Sequence, residues 1–212
     1  MSDRRQIFWQ RRAFLRACPP LLVSFVLATC SKQFTAQTLP GAQQSASGPP
    51  LAPTPACDEN SATPSQTAGP FYTPNSPERQ SLLEPGITGM RIVLTGQVLA
   101  ANCTPVAGAL LDFWHTNDQG EYDNKGYTLR GHQFADADGR YWLETIVPGF
   151  YPGRTRHFHV RVQAPDRSIL TTQLYFPEEA SNLEDGLFQP ALLMAIQNDE
   201  EGQRATFNFV LG

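Results

Sequence analysis

The chain has 212 residues, 41% of them hydrophobic, and this length and content suit one domain with a single core. The formal net charge is −4, with both signs spread along the chain and neither a basic patch nor an acidic tail. The composition therefore argues against nucleic acid and against a partner held by charge alone. It favours a small or neutral ligand, or none.

The first 30 residues have the pattern of an export signal, so we expect them to lie outside the folded domain. Arginines, among them the pair Arg11-Arg12, precede an apolar run at residues 21–28 that is too short to span a bilayer. The pair resembles a twin-arginine signal, and an ordinary secretory signal rich in arginine is the alternative. The run ends at Leu27-Ala28-Thr29-Cys30, which is similar to a lipoprotein cleavage box. It predicts a lipidated Cys30 and an exported protein, either periplasmic or anchored to the membrane only through its lipid.

Residues 31–62 are rich in Ser, Thr, Gln, Pro and Gly and hold almost no large apolar side chains. Such a composition cannot bury enough surface to fold, so it predicts a disordered or polyproline-like tether. Two cysteines lie beyond the signal, Cys57 and Cys103. An even pair in an exported chain suggests a disulfide, and two free thiols are the alternative.

The remainder, residues 63–212, predicts an all-β fold: an antiparallel β-sandwich with long loops and at most one short helix. Apolar segments recur between Pro/Gly turns, at residues 91–99, 109–115, 140–146, 157–163, 169–176 and 205–211. Only residues 186–198 are compatible with a helix, with Pro190 near its start. The segment 63–74 has too many prolines and glycines for a helix or a central strand, so we expect it to lie extended.

One predicted strand carries a His-x-His pair. Side chains alternate along a strand, so His157, His159 and Arg161 share one face. That face is costly to bury unless its polar groups have partners, and a metal held by both imidazoles is one such partner. A solvated strand face with two incidental histidines is the alternative. Tyr122 and Tyr151, in nearby turn-rich loops, favour the metal, because two imidazoles and two phenolates suit Fe³⁺.

Five motifs, in this order, resemble the intradiol ring-cleaving dioxygenases, non-haem Fe³⁺ enzymes that include protocatechuate 3,4-dioxygenase and catechol 1,2-dioxygenase. The motifs are TPSQTAGPFY, ALLDFWHTNDQGEYD, RGHQFADADGRYWLETIVPGFYP, RTRHFHVRV and LTTQLYF. The likeness covers residues 63–212, and its first motif looks more like the protocatechuate branch. The resemblance implies Fe³⁺ as cofactor and cleavage of a small aromatic diol of catechol type by O₂, to a cis,cis-muconate.

The resemblance also implies roles for single residues. Four residues match the family's iron ligands: Tyr122, Tyr151, His157 and His159. Tyr122 matches the tyrosinate that stays on the iron, and Tyr151 the one that substrate displaces. Arg154 matches a cation that stabilises charge on the substrate ring, Gln173 an amide near the oxygen site, and Tyr72 a residue that lines the substrate pocket. The segment between Tyr151 and His157 is shorter than in cytosolic members, which predicts a more open pocket.

Two hypotheses from other classes compete with the enzyme. The stretch TGQVLAANCTPVAGALLDF also fits a transthyretin-like exported binding or anchoring module, in which the tyrosines and histidines only pack. A degenerate subunit would keep the fold and bind metal poorly. The presence of all four candidate ligands favours the enzyme. His115 and His132 are interpreted as packing or surface residues.

Overall fold

The structure is a computed structural model of the chain, and it describes residues 62–212. The predicted export signal, the predicted lipidation at Cys30, the predicted tether up to residue 61 and Cys57 lie outside the described residues, and these predictions stay predictions. Cys103 is disulfide-bonded. Across residues 62–212 there is no helix of the length and apolar character needed to cross a membrane.

Nine β-strands and two short 3₁₀ helices form the described part of the chain. The strands are β1 (Arg91–Ala100), β2 (Leu110–Trp114), β3 (Arg130–Phe134), β4 (Arg140–Ile146), β5 (His157–Gln163), β6 (Leu170–Tyr175), β7 (Ala195–Asp199), β8 (Gly202–Thr206) and β9 (Phe209–Leu211). The 3₁₀ helices are Ala180–Leu183 and Pro190–Leu192. One sheet has the order β4-β1-β8-β7, with β9 also paired to β1, and the other has the order β3-β2-β5-β6. This confirms the predicted all-β sandwich.

The antiparallel pattern has one local exception, because β1 pairs in parallel with both β8 and β9. The predicted segment 205–211 is accordingly divided between the end of β8 and β9. The predicted helical stretch, residues 186–198, holds only the 3₁₀ helix Pro190–Leu192 and most of β7. This stretch is extended and not helical because the backbone N–H of Met194 donates to the carbonyl oxygen of Tyr175, the last residue of β6. The residues that follow then pair with β8.

The core lies between the two sheets. Strand β5 contributes Phe158, Val160 and Val162 to the core, and all three are fully buried, as the alternating pattern predicts. They belong to one apolar cluster with side chains from β1 and β4 of the facing sheet, such as Leu94 and Leu143. Burial of this face fixes the register of β5, since a slip by one residue would put the histidines into the core.

The other face of β5 is covered by an extended segment, residues 62–74, as the sequence predicts. Its backbone is held near its start, with Thr63 N bonded to Val210 O at 2.9 Å and Gln66 N to Thr171 O at 2.7 Å. At Gly69, a Cβ atom would lie 3.5 Å from Cε1 of His159, so this backbone passes directly over the histidine ring. The polar face of β5 is therefore enclosed, not solvated.

Candidate metal centre

Three side-chain atoms meet above β5. The Tyr122 hydroxyl oxygen lies 3.0 Å from His159 Nε2 and 3.3 Å from His157 Nε2, and the two Nε2 atoms are 3.1 Å apart. The two imidazoles come from alternate positions of β5, and the tyrosine from the loop between β2 and β3. Donor atoms at such near-equal separations are arranged as neighbouring ligands of one metal ion are.

Burial favours the neutral form of both histidines, and their Nε2 atoms face this point. Burial lowers the pKa of His157 to about 4, and it holds the pKa of His159 well below its ordinary value. His157 Nδ1 lies 2.7 Å from Thr155 O and donates to it, so its Nε2 carries no proton. The ring of His159 is stacked on Trp114, with centroids 4.8 Å apart and planes 3° from parallel. The ring of His157 is thus fixed by a hydrogen bond on its far nitrogen, as metal-bound histidines usually are, and the ring of His159 is fixed by stacking.

Tyr122 is positioned by close contact between two loops. Gly120 has φ +87°, and a Cβ there would lie 2.0 Å from Phe150 O. Gly149 is equally restricted, because its Cβ would lie 2.3 Å from Gly120 N. The two loops pack backbone to backbone through these glycines, with Gly149 N donating to Asn117 O at 2.7 Å. The loops carry the two tyrosines that the sequence singles out.

Tyr151 lies next to this trio. Its ring meets Tyr122 edge-on at 5.7 Å and Phe71 at 5.4 Å, while Phe71 stacks on Tyr122 at 4.6 Å. Within the described part of the chain, the Tyr151 side chain is held by these ring contacts and its hydroxyl makes no hydrogen bond, while its backbone carbonyl accepts one from Arg154 N at 3.0 Å. The structure therefore brings Tyr122, His157 and His159 into direct contact and places Tyr151, half-buried, at their edge.

Arg154 and Gln173 form a hydrogen-bonded pair beside the centre. Gln173 is the cross-strand neighbour of His159 and is fully buried. Its Oε1 accepts a hydrogen bond from Arg154 Nη2 at 2.6 Å, and its Nε2 donates to Thr67 O at 3.0 Å. Arg154 Nε donates to Asp185 Oδ2 at 2.9 Å. A cleft of about 360 Å³ opens here, with Tyr151, Arg154 and Asp185 in its wall.

Tyr72 packs against Trp114, a ring neighbour of His159, and its role in lining the substrate pocket stays a prediction. Its hydroxyl donates to Asp112 Oδ2 at 3.1 Å, and its ring packs edge-on against Trp114 at 4.9 Å. The Arg161 guanidinium covers the other side of the ring, 4.4 Å from its centroid. Trp114 contacts both Tyr72 and His159. Phe71, which precedes Tyr72 in the chain, is the aromatic residue that contacts Tyr122 and Tyr151.

Several residues that hold the site were not identified from the sequence. Arg130 is buried, and its Nε and Nη2 atoms donate to Asp123 O at 3.0 and 2.8 Å, which fixes the backbone next to Tyr122. Thr155 and Asp185 hold His157 and Arg154. An arginine inside the third motif and an aspartate far along the chain carry no local pattern that marks them as partners.

The donor set fits a hard trivalent ion. In the described residues, no group of three or more His, Cys, Asp and Glu side chains could hold a metal, so the site has phenols where zinc sites have thiolates or carboxylates. Burial raises the pKa of the Tyr122 phenol above its ordinary value. The phenolate therefore needs a cation beside it, and oxygen anions with neutral imidazoles suit Fe³⁺.

The other two histidines lie elsewhere. His115 is buried, with Nδ1 2.7 Å from Thr116 O and Nε2 2.7 Å from Thr145 Oγ1. His132 is half-buried, with Nδ1 2.7 Å from Ser76 O. Both are packing residues, as the sequence predicts.

Comparison with known proteins points to one family. A family model described as "Dioxygenase" matches residues 67–212. A hydroxyquinol 1,2-dioxygenase of Rhizobium sp. (strain MTP-10005) is 31% identical over 172 residues, which cover 68% of this chain and 58% of the relative. A catechol 1,2-dioxygenase of Candida albicans is 30% identical over 149 residues, or 57% of this chain and 49% of the relative. The chain thus spans roughly half of the length of these curated relatives.

Solved structures agree. The dioxygenase domain of a dioxygenase carbohydrate-binding protein fusion from Streptomyces sp. SirexAA-E is 51% identical, with a TM-score of 0.69 over 71% of this chain and 97% of that one. The 3-chlorocatechol 1,2-dioxygenase of Rhodococcus opacus 1CP is 27% identical, with a TM-score of 0.67 over 72% and 74%. Sequence, fold and site agree, and the chain belongs to the family of intradiol ring-cleaving dioxygenases.

Proposed function

We propose that this protein is an Fe³⁺-dependent enzyme that cleaves a catechol-type ring between its two hydroxylated carbons with O₂, giving a cis,cis-muconate. The observation that carries the proposal is the convergence of Tyr122 Oη, His157 Nε2 and His159 Nε2 within 3.0–3.3 Å of one another. Tyr151 at the edge of this trio and Arg154 with Gln173 beside it supply the remaining parts. The curated relatives support the same reaction class, since their names include hydroxyquinol, catechol and chlorocatechol 1,2-dioxygenases.

Each residue has a task that its position supports. His157, His159 and Tyr122 hold the ion, and Fe³⁺, when bound, draws electron density from the catechol oxygens and lowers their pKa values. Tyr151 would complete the ligand set as a phenolate, and because its side chain is held by ring contacts, this phenolate can swing aside and take a proton from the diol. Arg154 stabilises negative charge on the ring, and Gln173 keeps the guanidinium facing the centre.

The charges around the cleft favour a ring without a carboxylate. Arg154 is the cation in the wall of the cleft, and it is already paired with Asp185. Glu184 adds a negative charge to the same wall. A carboxylated ring such as protocatechuate would therefore meet no unpaired cation among these lining side chains, and we propose a neutral diol as the substrate.

The test is spectroscopic and kinetic. Purified protein should be red from Fe³⁺–tyrosinate charge transfer, contain nearly one iron per chain, change colour with catechol and consume O₂ as the muconate appears. His157→Ala and His159→Ala should each lose iron and colour, while the matched control His132→Ala keeps both. Colourless protein that remains iron-free after reconstitution would exclude the proposal. Faster turnover of protocatechuate than of catechol would exclude only the preference for a neutral ring.

We also propose that the enzyme acts outside the cytoplasm. The support is the arginine-rich signal, the cleavage box at Cys30 and the polar stretch that follows it. Labelled fatty acid should enter the wild-type chain and not the Cys30→Ser variant, which should leave the membrane fraction. Equal labelling of both chains would contradict the anchor.

A further inference from the structure

We propose that Asp185 is a positioning residue for the reaction, which aims Arg154 at the bound ring and at the same time steadies the backbone behind His157. The inference rests on the proposed function, because it assigns Arg154 to the substrate. Asp185 lies 31 positions along the chain from Arg154, the arginine that it orients.

Asp185 is built into its place from three sides. Its side chain is 2% exposed. Oδ2 accepts hydrogen bonds from Arg154 Nε at 2.9 Å and from Thr155 N at 3.0 Å, and Oδ1 accepts one from Leu187 N at 2.9 Å. Burial alone would raise the pKa of this carboxyl, but the hydrogen bonds and the arginine together hold it below its ordinary value. Asp185 is therefore a fixed anion at neutral pH.

The anion fixes the plane of the guanidinium. Arg154 Nε is bound to Asp185, and Nη2 is bound to Gln173 Oε1 at 2.6 Å and lies 3.4 Å from the Tyr175 hydroxyl. Partners at both Nε and Nη2 restrict a planar fork to one orientation. Among the described residues no hydrogen bond engages Nη1, and Arg154 lines the neighbouring cleft, so Nη1 is the part available to a ligand there.

The same carboxylate is linked to the metal centre through one residue, Thr155. Its backbone N–H donates to Asp185, and its carbonyl oxygen accepts a hydrogen bond from His157 Nδ1 at 2.7 Å. The Thr155 hydroxyl is tied to Ser181 and Asn182, both at 2.8 Å. The segment that contains the 3₁₀ helix Ala180–Leu183 thus holds the Arg154–Thr155 pair, and Asp185 is the member of that segment that contacts both.

A neighbouring ion pair offers a matched control. Arg156 Nε lies 3.1 Å from Glu179 Oε1, with side chains 30% and 25% exposed. It joins the same two stretches of chain, but its guanidinium covers the Phe150 ring instead of reaching Gln173. If Asp185 only stabilises the fold, removal of either carboxylate should have similar consequences for catalysis.

The experiment compares Asp185→Asn with Glu179→Gln in the iron-loaded protein. Asp185→Asn should lower kcat for catechol about 10- to 100-fold with KM changed less than about threefold, since a misdirected group costs transition-state stabilisation. Glu179→Gln should keep the wild-type kcat. In a double-mutant cycle with Arg154→Gln, most of the effect of Asp185→Asn should vanish, because Asp185 acts on the ring through Arg154, and the small remainder measures its support of His157. An undiminished effect in the Arg154→Gln background would overturn the proposal.

A second variant and a second readout cover the case in which Asp185→Asn fails to fold. Arg154→Lys keeps the charge but lacks the planar fork, so it should lose nearly as much kcat as Arg154→Gln. A near-wild-type rate would show that orientation is not needed. In protein loaded with diamagnetic Ga³⁺, the Arg154 Nε–H should exchange slowly with solvent by NMR, and rapid exchange would contradict a fixed fork. The exchange rate tests the positioning of Arg154 even if the wild-type protein cleaves no catechol. Absence of catechol cleavage would contradict only the proposed function.

Discussion

At the scale of single residues, the buried histidines of this chain have two different roles. His157 and His159 are buried with their Nε2 atoms facing one point, so desolvation keeps them neutral and available as ligands. His115 is just as buried, but both of its nitrogens are engaged by Thr116 and Thr145. Its neutral ring contributes to the fold, and protonation of this ring should destabilise the folded state when the pH falls.

His115 should make stability depend on pH. Burial lowers its pKa from 6.5 to about 4 in the folded chain, so between these values the unfolded chain binds the extra proton. Stability is therefore full above pH 6.5 and decreases as the pH falls toward 4, by about 3 kcal/mol from this residue. Urea unfolding of wild-type protein and His115→Gln across this range should give curves that converge toward low pH. Curves that stay parallel would show that His115 does not titrate in this way.

At the scale of elements, the site depends on two loops that touch through glycine. The loop after β2 carries Tyr122 and the loop after β4 carries Tyr151, and the approach of Gly120 to Phe150 O leaves no room for a side chain. The ring contact between the two tyrosines follows from this backbone contact. Loop geometry here is therefore as important to the ligand set as the strand that holds the histidines.

Gly120→Ala should separate the tyrosines. The added Cβ would overlap Phe150 O, so the loops must move apart, and we expect weaker iron binding and a bleached charge-transfer band. Gly86→Ala is the control, because Gly86 has a similar φ of +92° with nothing within 4 Å of its Cβ. Both variants bear the cost of a left-handed residue, about 1–2 kcal/mol, and only Gly120→Ala bears the clash. Equal iron affinity in the two variants would contradict this role for Gly120.

The elements also show how far the sequence predicts the structure. Alternation along β5 predicts both its core face and its histidine face, because a strand has period 2. The edge strand β7 was missed, since its residues are mostly exposed and show no apolar pattern. Asp185 was missed as well, because its contacts with Arg154 and Thr155 join distant parts of the chain. Local patterns carry no information on such contacts, and only the packed sandwich supplies them.

At the scale of the whole molecule, one sheet face holds the core and the opposite face holds the chemistry. The extended segment 62–74 closes the second face, bonding to β9 through Thr63 and to β6 through Gln66. The cover is thus held by strands of both sheets. The stability of the whole domain should depend also on a covalent attachment of the chain before this segment.

The predicted disulfide between Cys57 and Cys103 would supply that attachment. Cys103 lies in the turn after β1, away from the metal centre, and it is disulfide-bonded. Closing a loop of about 45 residues should stabilise the fold by about 2–4 kcal/mol. Cys57→Ser should therefore unfold at lower denaturant concentration than the wild type, with unchanged iron content and colour.

Treatment of the wild type with reductant should lower its stability to that of the Cys57→Ser variant and leave the variant unaffected. Peptide mapping without reductant should recover the two cysteines in one linked fragment. Free thiols at both positions in the mature protein would contradict the pairing. Loss of colour together with stability would show that the covering segment 62–74 depends on the disulfide, because Gly69 lies over His159 and Phe71 stacks on Tyr122. Retained colour would show that the strands and ring contacts hold the cover in place by themselves.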